Sequence, residues 1–203
     1  RAGRENPIDV PPRAYVLPRL SPDGTRVALD IRDQENDIWI VNLTATNKTP
    51  RRLTYGPSAE INPAWVDNTR LAYTSNRSGR WGMYWQAADG SGSAHTLSES
   101  ENGRFATSVT PDGTRIIGHE VRPRTKADLV RVALVPGGAA GGAVAEGLVQ
   151  TPFEEWSGEG IGACHPRFYP LKQDIRERVP GASRWGQCGS PTVSALAATE
   201  LTC

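Results

Sequence analysis

One phrase recurs along this chain at a nearly fixed interval. Ser21-Pro22-Asp23-Gly24-Thr25-Arg26 returns as Thr110-Pro111-Asp112-Gly113-Thr114-Arg115, and a shortened copy, Val66-Asp67-Asn68-Thr69-Arg70, stands between them. Thr25 and Thr69 are 44 residues apart, Thr69 and Thr114 are 45 apart. Each copy follows a strand-like run ending in a bulky apolar residue (Leu20, Trp65, Val109) and precedes another, Val27–Leu29, Leu71–Tyr73 and Ile116–Gly118. Self-similarity at about 40 to 50 residues marks an array of like units, and this length is that of a β-propeller blade.

Each unit has a physical reading. Pro22 and Pro111 preset φ, Asp23, Asp67 and Asp112 bond the local backbone, and Gly24 and Gly113 accept a positive φ, so the phrase is a tight turn between strands. A polar loop follows the second strand: Asp33–Asp37, Ser75–Arg80 and Arg122–Lys126. Next come runs rich in aromatic and β-branched residues, Ile38–Val41, Met83–Gln86 and Leu129–Val132. Trp39 and Tyr84 lie 45 apart, so the register survives the loop. Leu53-Thr54, Leu97-Ser98 and Leu148-Val149 continue the unit, and Glu60–Trp65 and Arg104–Val109 open the next. Four short strands per period make one blade. With no helical periodicity longer than two turns, the fold class is all-β: a partial β-propeller of about three four-stranded antiparallel blades, with an irregular C-terminal tail.

Composition sets the outer limits. The 203 residues carry 23 Lys and Arg against 22 Asp and Glu, a net charge of +1, which gives no electrostatic case for nucleic acid or an anionic membrane. No apolar run approaches the roughly 18 residues that span a bilayer, so no membrane insertion by this chain is expected.

The chemistry-bearing residues point away from catalysis. The histidines are His95, His119 and His165. None stands four residues from another ligand in a helical pattern, and no serine occupies a Gly-x-Ser-x-Gly elbow. Cys164 and His165 are adjacent and point to opposite faces of an extended chain, a poor shared metal site. Asp33, Glu35 and Asp37 alternate in a loop and offer carboxylate oxygens, but the central Gly and terminal Glu of a calcium loop are missing, which favours a solvated hairpin tip. Gly137–Gly142 lacks the following Gly-Lys-Ser/Thr of a phosphate cradle and reads as a flexible loop. No catalytic residue, cofactor or metal site is expected. Asn42-Leu43-Thr44, Asn47-Lys48-Thr49 and Asn76-Arg77-Ser78 fit the glycosylation triplet at a frequency chance supplies. Trp39 and Trp65 sit on strands and are expected to pack between blades. Trp81 lies in a hairpin tip with Arg77 and Arg80; tryptophan and arginine are enriched in binding hot spots, so this tip is the candidate partner-binding loop.

The units resemble TolB-like, WD-repeat-like β-propeller repeats. The likeness is carried by Leu20–Leu29, Asp37–Leu43, Ala72–Asn76, Tyr84-Trp85 and Val109–Ile117, with Ala87–Gly90 and Leu148–Phe153 as matching inter-strand segments. The nearest resemblance is to the propellers attached to bacterial serine/threonine protein kinases. It covers about residues 8 to 156 and implies a binding module on a protein or small ligand, with a periplasmic or extracytoplasmic setting. The same blade serves many functions.

Residues 1–13 read as a linker or the end of a preceding blade, 14–156 as propeller repeats, and 157–203 as a non-repeat tail. Closed propellers use about four to eight blades, so three phrases suggest part of a longer protein. A fourth phrase is due near residue 155, where Glu155-Trp156-Ser157-Gly158-Glu159-Gly160 stands instead. Cys164, Cys188 and Cys203 all fall in the tail. It reads either as a small cap with one disulfide and a spare thiol or, the favoured reading, as an altered reading frame. Two function classes follow: a non-catalytic binding module of a receptor-type kinase or similar protein, or the gating propeller of a prolyl-oligopeptidase-type peptidase, which requires a separate hydrolase domain.

Overall fold

The repeated phrase closes its turn largely on its own polar groups. The computed structural model describes residues 8, 10–33, 35–134, 143–150, 155–159 and 167–170, the last two segments as backbone. In it, the Gly24 amide donates to the Ser21 carbonyl at 2.8 Å, and Asp23 Oδ1 accepts from the Ser21 hydroxyl at 2.6 Å and from the Thr25 amide at 3.0 Å. The third copy repeats this: Gly113 N–H donates to Thr110 O at 2.8 Å, and Asp112 Oδ1 accepts the Thr110 hydroxyl and the Thr114 amide. Hydroxyl and amide donors hold the carboxyls of Asp23 and Asp112 at about 2. The middle copy is one residue shorter and keeps only the carboxylate, Asp67, which caps the Thr69 amide at 2.7 Å and the Arg70 amide at 2.8 Å.

Gly24 and Gly113 have φ of 70° and 66°, in the left-handed region where a side chain costs about 1 kcal/mol. A Cβ on Gly24 would meet open space; one on Gly113 would lie 3.3 Å from the Val66 carbonyl oxygen of the neighbouring turn. We therefore expect Gly113→Ala to lower the unfolding free energy by about 2 kcal/mol and Gly24→Ala by about 1 kcal/mol. Equal losses in urea titrations of the two variants would show that only the dihedral matters.

Around these turns the chain forms three four-stranded antiparallel sheets. The first contains β1 (Tyr15–Leu20), β2 (Arg26–Arg32), β3 (Asn36–Asn42) and β4 (Arg51–Arg52). The second contains β5 (Glu60–Trp65), β6 (Arg70–Ser75), β7 (Gly82–Ala87) and β8 (His95–Glu99). The third contains β9 (Arg104–Val109), β10 (Arg115–Arg122), β11 (Lys126–Ala133) and β12 (Ala145–Val149). Strands pair in sequence order within each sheet, and no helix occurs among the described residues. These are the blades of a partial β-propeller, as the spacing implies. Register repeats too: Trp39 pairs with Leu29, Tyr84 with Tyr73 and Val130 with Gly118, which are equivalent positions.

The blades stack face to face. Period-two alternation sends Ala28, Ile38 and Ile40 of the first blade against Trp65, Leu71, Tyr73 and Tyr84 of the second. Ala72, Met83 and Leu97 of the second meet Ile116, Val130 and Val132 of the third. Both faces of β2 are covered, which explains its near-continuous apolar run. A side chain from the second strand of each of the first two blades also reaches the next blade's first strand: Asp30 Oδ2 accepts the Asn62 amide at 3.3 Å, and Thr74 Oγ1, at the equivalent position, accepts the Ala106 amide at 2.8 Å. Trp65 is inter-blade packing, buried with its indole N–H on the Arg19 carbonyl at 2.8 Å. Trp39 is not. It lies on the opposite face of the first blade, in a cluster with Leu29, Ile31 and Val41, because its residue parity sets it away from Ile38 and Ile40.

Strand pairing also runs past residue 156. Glu155–Glu159 (β13) and Arg167–Pro170 (β14) pair antiparallel, and β13 lies against β9, β10 and β11. The missing turn phrase hides this pair from the sequence, since main-chain pairing does not require it. All described residues fall within the unit Arg1–Leu171. Residues 1–7, the Gly137–Gly142 loop, and Cys164, His165, Cys188 and Cys203 lie outside the described residues.

Candidate functional site

Antiparallel connectivity divides the loops between two ends of the blades. The Pro-Asp-Gly turns leave at one end; the β2–β3, β6–β7 and β10–β11 hairpins and the blade-to-blade connections leave at the other. The hairpin end is rich in charge. Five acids are buried there, and each meets an arginine: Asp30 with Arg32 at 2.8 Å, Asp37 with Arg52, Glu60 with Arg77 at 3.2 Å, Glu120 with Arg104 at 3.0 Å and Asp128 with Arg122 at 3.4 Å. An unpaired buried charge is costly, so such acids are retained only with partners.

This network disperses the three residues singled out in the β6–β7 tip. Arg77 turns inward. Besides Glu60 it donates to the Tyr73 hydroxyl at 3.1 Å and to Ser75 Oγ at 3.2 Å, and its guanidinium lies 4.9 Å from the Tyr84 ring centre. Trp81 packs on Phe105 of the third blade at 5.5 Å, and Phe105 in turn stacks on His119 at 5.0 Å. Arg80 points outward, 3.7 Å from the exposed Glu101. The structure thus brings together an inter-blade brace, and the three side chains do not converge on one surface.

Aromatic and arginine side chains do converge at the hairpin end of the first blade. Arg13, Asp33, Glu35, Asp37, Trp39 and Arg52 line an open cavity of about 560 Å³. Asp33 takes Arg13 in a two-point pair, Nε to Oδ2 at 2.7 Å and Nη2 to Oδ1 at 3.0 Å, and the same guanidinium lies 4.5 Å from the Trp39 ring centre. The hydrogen bond to Asp33 raises the Arg13 pKa further. Arg52 bridges Glu35 and Asp37 and lies 5.0 Å from the ring centre of Tyr55. Burial pushes the Asp37 carboxyl up, against the Thr54 hydroxyl and Arg52, which favour its ionised form. Tyr55, beside Arg52, is 70% exposed.

The three alternating acids therefore hold arginines. Among the described residues no group of His, Cys, Asp or Glu has the arrangement of a metal site, and no helix is long and apolar enough to cross a membrane. The sequence singles out the three acids but not their arginines, because the Arg13–Asp33 and Arg52–Asp37 pairs span 20 and 15 residues. One signal was present: Asp37 and Trp39 stand two apart in β3, which sends them to one face of that strand, and the hairpin that carries Asp33 and Glu35 leads into it.

Repeat, register and blade stacking agree with a family model, the TolB beta propeller domain, which matches residues 4–134. The chain belongs to this family. Among solved structures, a putative TolB from Agrobacterium tumefaciens is similar at 23% identity and a TM-score of 0.55, over 68% of this chain and 47% of that one. TolB from Acinetobacter baumannii is similar at 17% identity and a TM-score of 0.51, over 70% and 34%. A chain of a nidogen/laminin complex has 11% identity and a TM-score of 0.55, over 70% and 50%. The match spans half or less of the length of each of these proteins. At such identities the likeness is one of fold.

Proposed function

We propose that this chain is a non-catalytic binding module that engages a protein partner at the hairpin end of its blades. The observation that carries this is the corner where Trp39, Arg13 and Arg52 line an open cavity and the exposed Tyr55 packs against Arg52. Tryptophan, tyrosine and arginine dominate binding hot spots because each buries a large area and still offers a directed polar group. Tyr55 is exposed here although nothing in the blade core requires a large ring at that position.

On the resemblance carried by Leu20–Leu29 and Val109–Ile117, the module belongs to a longer, extracytoplasmic protein such as a receptor-type serine/threonine kinase. The gene sequence on both sides of this chain tests that assignment. Arg77, Arg80 and Trp81 are a weaker candidate, since only Arg80 is presented outward.

Site-specific photocrosslinking tests the binding role. With benzoylphenylalanine in place of Tyr55, one discrete crosslinked protein is expected in producing cells; with the same group at Ser91, beyond β7 at the turn end, none is expected. Equal crosslinking from both positions would remove the assignment of the hairpin end.

A further inference from the structure

We infer that the cavity on the first blade is a receptor for an arginine side chain of a partner polypeptide, and that Arg13 occupies it as an internal stand-in. This rests on the binding-module reading and names its ligand chemistry. Three features define what fits. Asp33 presents both carboxylate oxygens to two nitrogens of a guanidinium, at 2.7 and 3.0 Å. Trp39 supplies a flat aromatic platform 4.5 Å below it. Glu35 and Asp37 add two more carboxylates, and among the described lining residues the cations are Arg13 and Arg52. Among the described lining residues three carboxylates stand against two guanidinium groups, so a cation is favoured over an anion. A guanidinium uses the two-point carboxylate and the ring together, which an ammonium cannot do.

Arg13 is suited to leave. It sits in a stretch without regular secondary structure just before β1, and its side chain is 30% exposed. Solvent reaching both side chains screens the pair, although its two-point geometry places it above an ordinary surface ion pair, so a competing guanidinium that makes the same contacts and adds others can displace Arg13. An incoming arginine forms the same contacts and brings its own backbone and neighbouring side chains across the exposed Tyr55. Arg13 thereby sets a threshold: lone arginines compete poorly, and a longer segment that also covers Tyr55 displaces it.

The test uses calorimetric titration of the purified chain with acetyl-Gly-Gly-Arg-Gly-Gly-amide and its lysine and citrulline counterparts; citrulline keeps the shape and removes the charge. Arg13→Ala should bind the arginine peptide about tenfold more tightly than wild type, because the internal competitor is gone. The lysine and citrulline peptides should bind at least fivefold more weakly than arginine. Adding Asp33→Asn to Arg13→Ala should weaken binding at least tenfold, and Trp39→Phe provides a second route if that variant is unstable. Unchanged affinity in Arg13→Ala, or equal affinity for citrulline, overturns the inference. Equal affinity for lysine overturns the guanidinium assignment. Self-association of Arg13→Ala that the arginine peptide reverses, seen by sedimentation, would make the occupant a second copy and overturn the assignment to a partner. If the peptides fail while Tyr55 still crosslinks one protein, the binding-module reading stands and only this inference falls.

Discussion

Gly118→Ala should be among the most damaging single-methyl additions in the described structure, lowering the unfolding free energy by about 3 kcal/mol. Gly118 pairs with Ala106 and Val130 in the middle of the third blade. Leu29 and Tyr73 fill the equivalent position in the first two blades, so β geometry itself does not demand glycine there. The neighbours do. A Cβ at Gly118 would fall 2.3 Å from the Met83 methyl and 2.3 Å from the Phe105 carbonyl oxygen, beside the bulge in the β9–β10 pairing. Replacing glycine by alanine ordinarily stabilises by about 0.4 to 1 kcal/mol through the unfolded chain, which the clash outweighs. The two contacts separate in a double-mutant cycle. Met83 is flexible and yields; the Phe105 backbone is pinned between Arg104 and the Ala106–Thr74 bond. Adding Met83→Ala should therefore recover only about 1 kcal/mol of coupling in urea titrations. A Gly118→Ala protein within 0.5 kcal/mol of wild type, or full recovery on removing Met83, would show that β9 shifts freely.

Why Gly118 was not legible in advance, while the blades were, follows from where the information lies. A Pro-Asp-Gly turn carries its own hydrogen-bond partners within five residues, so the sequence displays it whole. Strand pairing follows from the turns, and β1 to β12 fall close to the apolar runs that flank them. The offset at β4 is small: main-chain pairing is assigned to Arg51 and Arg52, while Leu53, the apolar residue that suggested the strand, is the buried one and still donates to the Ile38 carbonyl at 2.8 Å. Contacts between blades carry no such local mark. Whether position 118 must be glycine depends on Met83, 35 residues earlier, and whether Arg77 faces solvent depends on Glu60 across the sheet. The hairpin-end charges are legible only as a solvated loop until the fold decides which acid meets which arginine. The corner of Arg13, Asp33, Trp39 and Arg52 was hidden for that reason, and the β6–β7 tip looked more exposed than it is.

Arg104→Ala should lose about 3 kcal/mol at neutral pH, and the loss should shrink in acid. Arg104 joins three strands: its Nε donates to Glu120 at 3.0 Å, and Nη1 donates to the Ser98 hydroxyl and to the Glu99 carbonyl at 3.0 Å. Removing one member of a buried, hydrogen-bonded ion pair costs about 3 to 5 kcal/mol, because the other charge is stranded. The arginine is 16% exposed, which places the expected loss at the lower edge of that range. The group left behind is Glu120, which keeps Ser100, Asn102 and a more distant Arg122 at 3.5 Å, another reason for a loss at the lower edge. Burial opposes its ionisation, yet hydrogen bonds from Asn102, Ser100 and Arg104 overcome that and hold its carboxyl at about 2, below its ordinary 4.5. A carboxyl depressed on folding contributes stability that is fully present above its unfolded pKa and is lost as pH falls toward its folded value. For wild type that window runs from about pH 4.5 down to about 2. Without Arg104, burial gains ground and the folded pKa rises, so the variant draws less stability from the ionised form. The wild-type advantage should be largest above pH 5 and narrow steadily between pH 4.5 and pH 2. Unfolding titrations of both proteins at pH 7, 4 and 3 measure the gap. A constant gap across that range would mean that Arg104 acts by packing against β8 alone; Arg104→Lys, which keeps the charge and loses the fork, should then recover nothing at any pH.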